Sequence, residues 1–299
     1  MIKIEDYLNN IYKDFKSYID GGNNLCELKK LNYQSDEIPD YNNKYIQQLY
    51  LLRYSFSYAF EYLTMFHNIF KINEKLGYNI DNNLNVTSFG CGSYIDYWSL
   101  ISVINDNNVK FCVKYIGIDL VDWEYKIEQR ENDKIIYVQD NITNYIKSND
   151  IDSDIYIFPK SISEISIEDF CQNIKNCSVE KDVFHILISL RAKKENREKD
   201  IRKINLLIKT LKDSMCDYCI YKLTMDFTDS PKYRGIKHYN NSFNYPDKVK
   251  NFLSTDLKKY CKCSEGDLYK NTVCDGIKRK PTLTTSQINY EIITFEKFN

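Results

Sequence analysis

Histidine is nearly absent from this chain, with only His67, His185 and His238 in 299 residues. Chemistry that moves protons through imidazole therefore has few places to stand. His185 lies inside a strand-like run and reads as a core residue, not a catalyst. No apolar run is long enough to span a bilayer. The opening segment, MIKIEDYLNNIYKDF, mixes charge with apolar residues and lacks the apolar centre and cleavage site of a secretory leader, so a cytoplasmic protein is expected. A net charge is lacking too: 41 Lys and Arg face 42 Asp and Glu. Nothing global calls for nucleic acid, although a local basic face stays open. The ten cysteines are then thiols or metal ligands before they are disulfides.

What is present is ordinary for a soluble globular protein: 43% hydrophobic and 28% charged residues, in a length that makes one large domain or two small ones. The 26 tyrosines come with abundant Asn, Lys, Ile and Phe, which share AT-rich codons. That composition points to a low-GC coding sequence before it points to an aromatic binding surface.

Ile4, Leu8, Ile11, Phe15 and Ile19 fall on one face of a helix over about residues 1–20. A second helix is expected over about 41–76, apolar around most of its circumference and so largely buried, with Arg53, Tyr54, Tyr58, Glu61 and Tyr62 as polar interruptions. The pattern then changes to short strand-like runs alternating with helices. The runs are 84–90, 113–120, 134–140, 151–160, 183–191, 218–227 and 289–298. A short helix is expected after the second. The helix after the fifth carries a stripe of Ile201, Ile204, Leu207, Ile208 and Leu211. This alternation implies a mostly parallel α/β sheet covered on both faces, with the last strand returning antiparallel at an edge. Residues 1–78 form an N-terminal helical cap and 79–299 the sheet domain. An insertion at about 229–287 precedes the last strand and includes a helix in PDKVKNFLSTDLKKYC.

The first strand ends in FGCGSYIDYW. A ligand at the carboxyl end of such a sheet approaches bare backbone, and Gly90 and Gly92 permit both the bend and the approach. The second strand ends at Asp119, where a carboxylate can accept both hydroxyls of a ribose or, alternatively, cap a following helix. The ribose reading is favoured because the glycine turn and acidic tip occur together and in order. The third ends in Asp140, Asn141 and Ile142, a set that suits an adenine ring or an ordinary Asx-turn equally well. The fourth ends in IFPKSISEIS, which puts Lys160, Ser161 and Glu164 at the same edge as candidate catalytic residues. Glu164 can act as a base. The spacing of Ser161 and Glu164 also fits a capping box, and that reading is favoured.

These strand tips together resemble the class I S-adenosylmethionine-dependent methyltransferases over about residues 80–299. The resemblance implies a seven-stranded, Rossmann-like sheet and S-adenosylmethionine as cofactor. It places Gly90, Cys91 and Gly92 against the methionine and ribose, Asp119 on the ribose hydroxyls, and Asp140, Asn141 and Ile142 at the adenine. Ser88, Leu120 and Pro159 complete the implied cofactor set. The chain departs from the pattern twice. Ser88 stands where many members carry an acid, and Tyr94 where they often have a third glycine. Asp96, in the first turn of the next helix, is placed to supply the missing carboxylate. The tip of strand four also lacks the Asp/Asn-Pro-Pro-aromatic sequence of members that methylate exocyclic amines or amide nitrogens. Methyl transfer from a sulfonium depends mainly on alignment, so the lack of a catalytic triad does not oppose the reading.

Two other functions stay open: a binding or scaffold protein that has lost catalysis, favoured by Ser88 and Tyr94, and a nicotinamide-dependent oxidoreductase. The second lacks the GxGxxG spacing that seats a pyrophosphate. Cys216 and Cys219 with Cys261, Cys263 and Cys274 suggest zinc, but a CxC is not the usual second knuckle and free thiols are the default, so no metal is assigned. Lys193, Lys194, Arg197, Lys278, Arg279 and Lys280 can flank a polyanion if they share a face, which puts RNA slightly ahead of protein or small molecules as methyl acceptor; solvated positions explain them more simply.

Overall fold

The computed structural model describes residues 3–22, 28, 39–78, 83–226, 245–260, 281 and 288–298. Two helices come first, α1 (Ile4–Asp20) and α2 (Lys44–Leu76). The expected stripe of Ile4, Leu8, Ile11, Phe15 and Ile19 is the buried face of α1, joined by Tyr7. After them run β1 (Asn83–Phe89), α3 (Ile95–Asp106), β2 (Cys112–Asp119), β3 (Lys134–Gln139), α4 (Ile142–Ser148) and β4 (Ile155–Phe158). The chain continues through a short 3-10 turn (Ser161–Glu164), α5 (Ile167–Ile174), β5 (Val183–Ser189), α6 (Lys194–Ser214), β6 (Tyr218–Asp226), α7 (Asp247–Ser254) and β7 (Asn289–Lys297). No described helix is long and apolar enough to cross a membrane.

The strands form one sheet in the order β3-β2-β1-β4-β5-β7-β6. All pairs are parallel except those of β7, which runs antiparallel to both β5 and β6. This is the seven-stranded, mostly parallel, Rossmann-like sheet that the resemblance implied. One expectation is corrected: β7 is antiparallel but not an edge strand, because it inserts between β5 and β6. Its run NYEIITF is buried along its length, as suits a strand with partners on both sides.

A second correction concerns residues 120–133, which contain no helix. Side chains satisfy that backbone instead. Tyr137 donates its hydroxyl to the Val121 carbonyl at 2.8 Å, and the Tyr97 hydroxyl accepts from the Arg130 amide at 2.9 Å. Asp133 is buried; it accepts from the Tyr97 hydroxyl at 2.6 Å and pairs with Arg130 at 2.9 Å. With these partners taken, the segment has no need of i→i−4 bonds.

Two compact units divide the chain: residues 1–58, 123–128 and 234–284 form one, and 59–122, 129–233 and 285–299 the other. The boundary falls within α2. In the first unit Tyr245 donates to the Leu52 carbonyl at 2.6 Å, and Phe252 of α7 packs edge-on against Phe15. In the second, Phe89, Phe158, Phe170, Phe184, Ile204, Leu207, Leu211 and Phe295 belong to the core under α4, α5 and α6. The other face meets the second half of α2, where the Asn68 amide reaches the Tyr290 hydroxyl at 2.9 Å, and α3, where Ser99 donates to the Ala59 carbonyl at 3.0 Å.

His185 is a core residue, with its two ring nitrogens 2.8 Å from Asn73 Oδ1 and 3.0 Å from Thr294 Oγ1. That network fits a neutral ring whose Nε2–H donates to Asn73 and whose Nδ1 accepts from Thr294. Burial depresses its pKa to about 3. The folded ring stays neutral where the unfolded one takes up a proton, so this stability is complete above about pH 6.5 and drains away as pH falls toward 3. Between about pH 7 and about pH 5 the loss from this group is about 2 kcal/mol. Urea unfolding at both pH values should show His185→Gln losing less on acidification than the parent by roughly that amount. Equal losses would mean the ring titrates normally.

Candidate functional site

In an open α/β sheet, the crevice for a ligand lies outside the carboxyl ends of the strands where the order reverses. Here that point is between β1 and β4. β1 leaves the sheet through Gly90, Cys91 and Gly92. Gly90 and Gly92 have φ of 82° and 52°, in the left-handed region glycine tolerates. The turn is tied to the tip of β2: Gly90 and Cys91 donate their amides to the Ile118 carbonyl at 2.7 and 3.2 Å, and Gly92 donates to Asp119 Oδ2 at 2.9 Å. Gly90 also has to lack a side chain, because a Cβ there would lie 2.6 Å from the Cβ of Ser161 at the tip of β4. The Cys91 thiol fills the space that Gly117 leaves open on β2. Tyr94, at the position of the absent third glycine, keeps a left-handed backbone with φ of 66°. Its ring is buried edge-on against Tyr115, 5.5 Å between centroids.

Asp119 does not cap a helix. Its Oδ1 accepts from the Val121 amide at 2.9 Å while Oδ2 holds Gly92. Beside it Leu120 is 64% exposed, among the few large apolar side chains left in solvent. At the tip of β3, the Asp140 amide donates to the Asp119 carbonyl at 3.2 Å, joining the two tips. Asp140 Oδ1 accepts from the Asn141 amide at 2.6 Å and from Asn144 Nδ2 at 3.2 Å. Asn141 Oδ1 caps α4 through the Thr143 amide at 2.8 Å, so the turn reading of this tip is built. Ile142 next to it is half-buried.

The tip of β4 differs from its expected form. Ser161 and Glu164 make no capping box: the residue before the 3-10 turn is Lys160, with φ of 66°, and the Ser161 hydroxyl donates to the Phe89 carbonyl. Lys160 is committed to an ion pair with the fully buried Glu61 at 2.9 Å and to the Leu190 carbonyl at 2.5 Å, and Ser189 also donates to Glu61. Burial pushes the Glu61 carboxyl up while Lys160 and Ser189 pull it back. Pro159 is half-buried. Glu164 is exposed as a residue, yet protein crowds its carboxyl and raises its pKa to about 7; the charge of Asp119 adds to the rise, and Arg191 and Lys203 oppose it. Lys203 holds the turn by donating to the carbonyls of Ile162, Ser163 and Ile165 at 3.1, 2.9 and 2.6 Å.

Beneath the glycine turn, the Ser88 hydroxyl is buried beside Asp96 and Tyr115 without a well-formed hydrogen bond. Asp96 is buried beside Tyr115, whose hydroxyl lies 2.9 Å from both carboxylate oxygens. The pairings of Glu61 with Lys160 and of Asp96 with Tyr115 were not readable from sequence, although each acid stands out on a helix that is otherwise apolar at those turns.

Cys216 is exposed and Cys219 half-buried as free thiols, and no metal-holding cluster occurs among the described residues. Cys261, Cys263 and Cys274 lie outside the described residues, as do Lys278, Arg279 and Lys280. In the first basic cluster Lys193 pairs with Glu195 at 3.3 Å and Arg197 donates to Asn289 Oδ1 at 3.2 Å. Nearby Arg191 is bound to Asp200 at 2.6 Å.

No family model matches the sequence, and no curated protein matches it. Among solved structures the chain is similar to a geranyl diphosphate C-methyltransferase from Streptomyces coelicolor A3(2), at 9% identity over 74% of this chain and 76% of that one, with a TM-score of 0.36. It is also similar to a loganic acid methyltransferase, at 7% identity over 82% and 94% of the two chains and a TM-score of 0.38. A plantazolicin methyltransferase gives 14% identity over 82% and 84%, with a TM-score of 0.35. TM-scores of 0.35 to 0.38 are too low to carry any part of the functional reading, which rests on the strand order and the tips.

Gly90→Ala tests the switch point directly. The substitution forces a side chain into a positive-φ position and against Ser161, so it should destabilise the protein by about 1–3 kcal/mol in urea unfolding. Adding Ser161→Gly should recover part of the loss by removing the clash. Parent-like stability of Gly90→Ala alone would show that the two tips do not close on one another.

Proposed function

We propose that the chain is an S-adenosylmethionine-dependent methyltransferase with its nucleoside site at the β1–β4 switch point. One observation carries the reading: the glycine turn is clamped to the carboxylate of Asp119 at the tip of β2, beside the exposed Leu120. A ribose with two vicinal hydroxyls suits such a carboxylate. The adenine is assigned to Asp140, Asn141 and Ile142 at the tip of β3, beside Leu120. Ser88, buried near the end of β1, is assigned as a polar neighbour of the methionine portion. Pro159, which follows β4, is assigned to the same site.

When bound, S-adenosylmethionine supplies a methyl group on a sulfonium. The chain's part is to align and to manage a proton. Glu164 is the group suited to take the proton from an N–H or O–H acceptor, because a base titrating near 7 is matched to neutral pH. In this reading Lys160 and Ser161 shape the turn that presents Glu164 and do not react, since both are bound to protein partners. The insertion at about 229–287 is proposed to shape the choice of methyl acceptor. RNA gains no support from the first basic cluster, where Lys193 and Arg197 have local partners.

A dinucleotide site is the weaker reading for a specific reason. The amides of Gly90, Cys91 and Gly92 already donate to Ile118 and Asp119, which leaves the turn without the free N–H groups that cradle a pyrophosphate.

Calorimetry of the purified protein with S-adenosylmethionine, S-adenosylhomocysteine and NAD separates the readings. Both sulfur nucleosides should bind and NAD should not. Asp119→Ala should weaken S-adenosylmethionine by at least about tenfold, since losing a charged acceptor costs about 1.5–3 kcal/mol. Folded protein that binds neither sulfur nucleoside defeats the proposal; tight binding without turnover on any acceptor favours a scaffold.

A further inference from the structure

The turn that carries Glu164, Ser161–Glu164, is a single stretch of 3-10 helix, and a piece that short has little stability of its own. Its hold comes from α6. The carbonyls of Ile162 and Ser163, with that of Ile165 just beyond the turn, converge on the Lys203 ammonium at 3.1, 2.9 and 2.6 Å. An ammonium has three N–H donors, and here each has a carbonyl. A neutral amine has only two and would set its lone pair against the third oxygen, so this arrangement selects the charged form. Glu164 lies between Ser163 and Ile165, inside the span that Lys203 ties together.

Three charged groups face the Glu164 carboxyl: Asp119 from the tip of β2, Arg191 from the end of β5 and Lys203 from α6. Arg191 is committed elsewhere. Its guanidinium meets both oxygens of the fully buried Asp200 at 2.6 to 3.1 Å, so an anion in contact answers most of its charge. Lys203 has no carboxylate in contact among the described residues. Asp200 and, from α5, Glu168 act on it only across a distance, and Arg191 opposes them. Because its direct partners are neutral carbonyls, its positive charge remains effective on the acid that those carbonyls flank.

We propose that Lys203 is the positioning residue for Glu164: it fixes the backbone on both sides of the acid and lends it the counter-charge that keeps it ionised. The use of Glu164 as a base rests on the methyltransferase reading; the coupling between the two residues does not. Lys203 acts through Glu164 and takes no part in the chemistry itself.

Burial first, and then the charge of Asp119, push the Glu164 carboxyl up to about 7, while Arg191 and Lys203 keep it from going higher. Below that pH the acid is neutral and accepts no proton; above it the carboxylate is ready. Loss of the Lys203 charge therefore moves the midpoint upward and leaves less carboxylate at pH 7. Loss of the Asp119 charge moves it downward.

A carbon-13 NMR titration of the full chain, labelled at the glutamate carboxyl carbons, reads the midpoint without any substrate. Glu164→Gln identifies the resonance by deleting it. Lys203→Met should raise the midpoint by about one pH unit, which cuts the ionised fraction at pH 7 about fivefold. Lys203→Arg retains the charge and should return most of that shift, whereas Asp119→Asn should lower the midpoint. Urea unfolding establishes that each variant is folded. If Lys203→Met does not fold, Lys203→Gln, which keeps two donors but no charge, takes its place with the same expected direction. The inference is overturned if the folded uncharged variant keeps the parent midpoint, because Lys203 is then only a brace for the turn. It is also overturned if Lys203→Arg shifts the midpoint as far as Lys203→Met. Calorimetry of the parent with S-adenosylmethionine separates the two claims: no binding removes the methyltransferase reading and leaves the coupling of Lys203 to Glu164 standing.

Discussion

The carboxyl edge of the sheet depends on one close approach, the backbone of Gly90 against Ser161. β1 and β4 are parallel neighbours whose chains leave the sheet side by side at the same edge, and their tips pass so closely that no side chain fits at Gly90. The Ser161 hydroxyl uses the proximity to satisfy the Phe89 carbonyl. Phe89 anchors the other side of that contact, with Phe158 at 4.9 Å and Phe170 at 5.7 Å between ring centroids. The position of the 3-10 turn, and of Glu164 on it, follows from this closure and from the three carbonyls gathered by Lys203.

Charge is placed with the same economy. Glu61 comes from α2, Lys160 from the tip of β4 and Ser189 from the end of β5, and they meet in a nearly dry setting. Such a pair adds little net stability, because desolvation of both ions offsets most of their attraction. Removing one partner is another matter, since the remaining ion is stranded. The pair therefore works as a constraint on register: α2 cannot slide along the sheet without breaking it. Lys160 is held there in a left-handed backbone conformation that a non-glycine residue adopts at some cost.

Local rules carried the sequence reading a long way and then failed where partners were distant. Strand runs such as VFHILIS are legible because both faces of a central strand are buried. The glycine turn and Asp119 are legible because a β-α-β unit spaces them. The place of β7 was not, since NYEIITFEK reads the same at an edge as between β5 and β6. Nor was the fate of Ser161: its spacing to Glu164 satisfies the capping rule, but a carbonyl 72 residues away in sequence took the hydroxyl. The helix expected after β2 failed similarly, because Tyr97, Arg130, Asp133 and Tyr137 satisfy the backbone that a helix otherwise serves. Lys160 looked reactive only because Glu61, 99 residues earlier, is invisible to any local pattern.

Tyr94 shows how a departure from a pattern can preserve the geometry the pattern encodes. A left-handed tyrosine costs about 1 kcal/mol or more, where glycine adopts the same backbone freely. The turn keeps its course, with the Tyr94 amide on the Cys91 carbonyl at 3.0 Å and the Trp98 amide on the Tyr94 carbonyl at 3.0 Å. What the side chain adds is packing: its buried ring meets Tyr115 edge-on, and the Tyr115 hydroxyl is the one that binds Asp96. A glycine at this position would leave the turn free to flex independently of the acid below it. With tyrosine, the shape of the turn and the orientation of the carboxylate are fixed by one packed unit, so the backbone strain is spent on preorganising both.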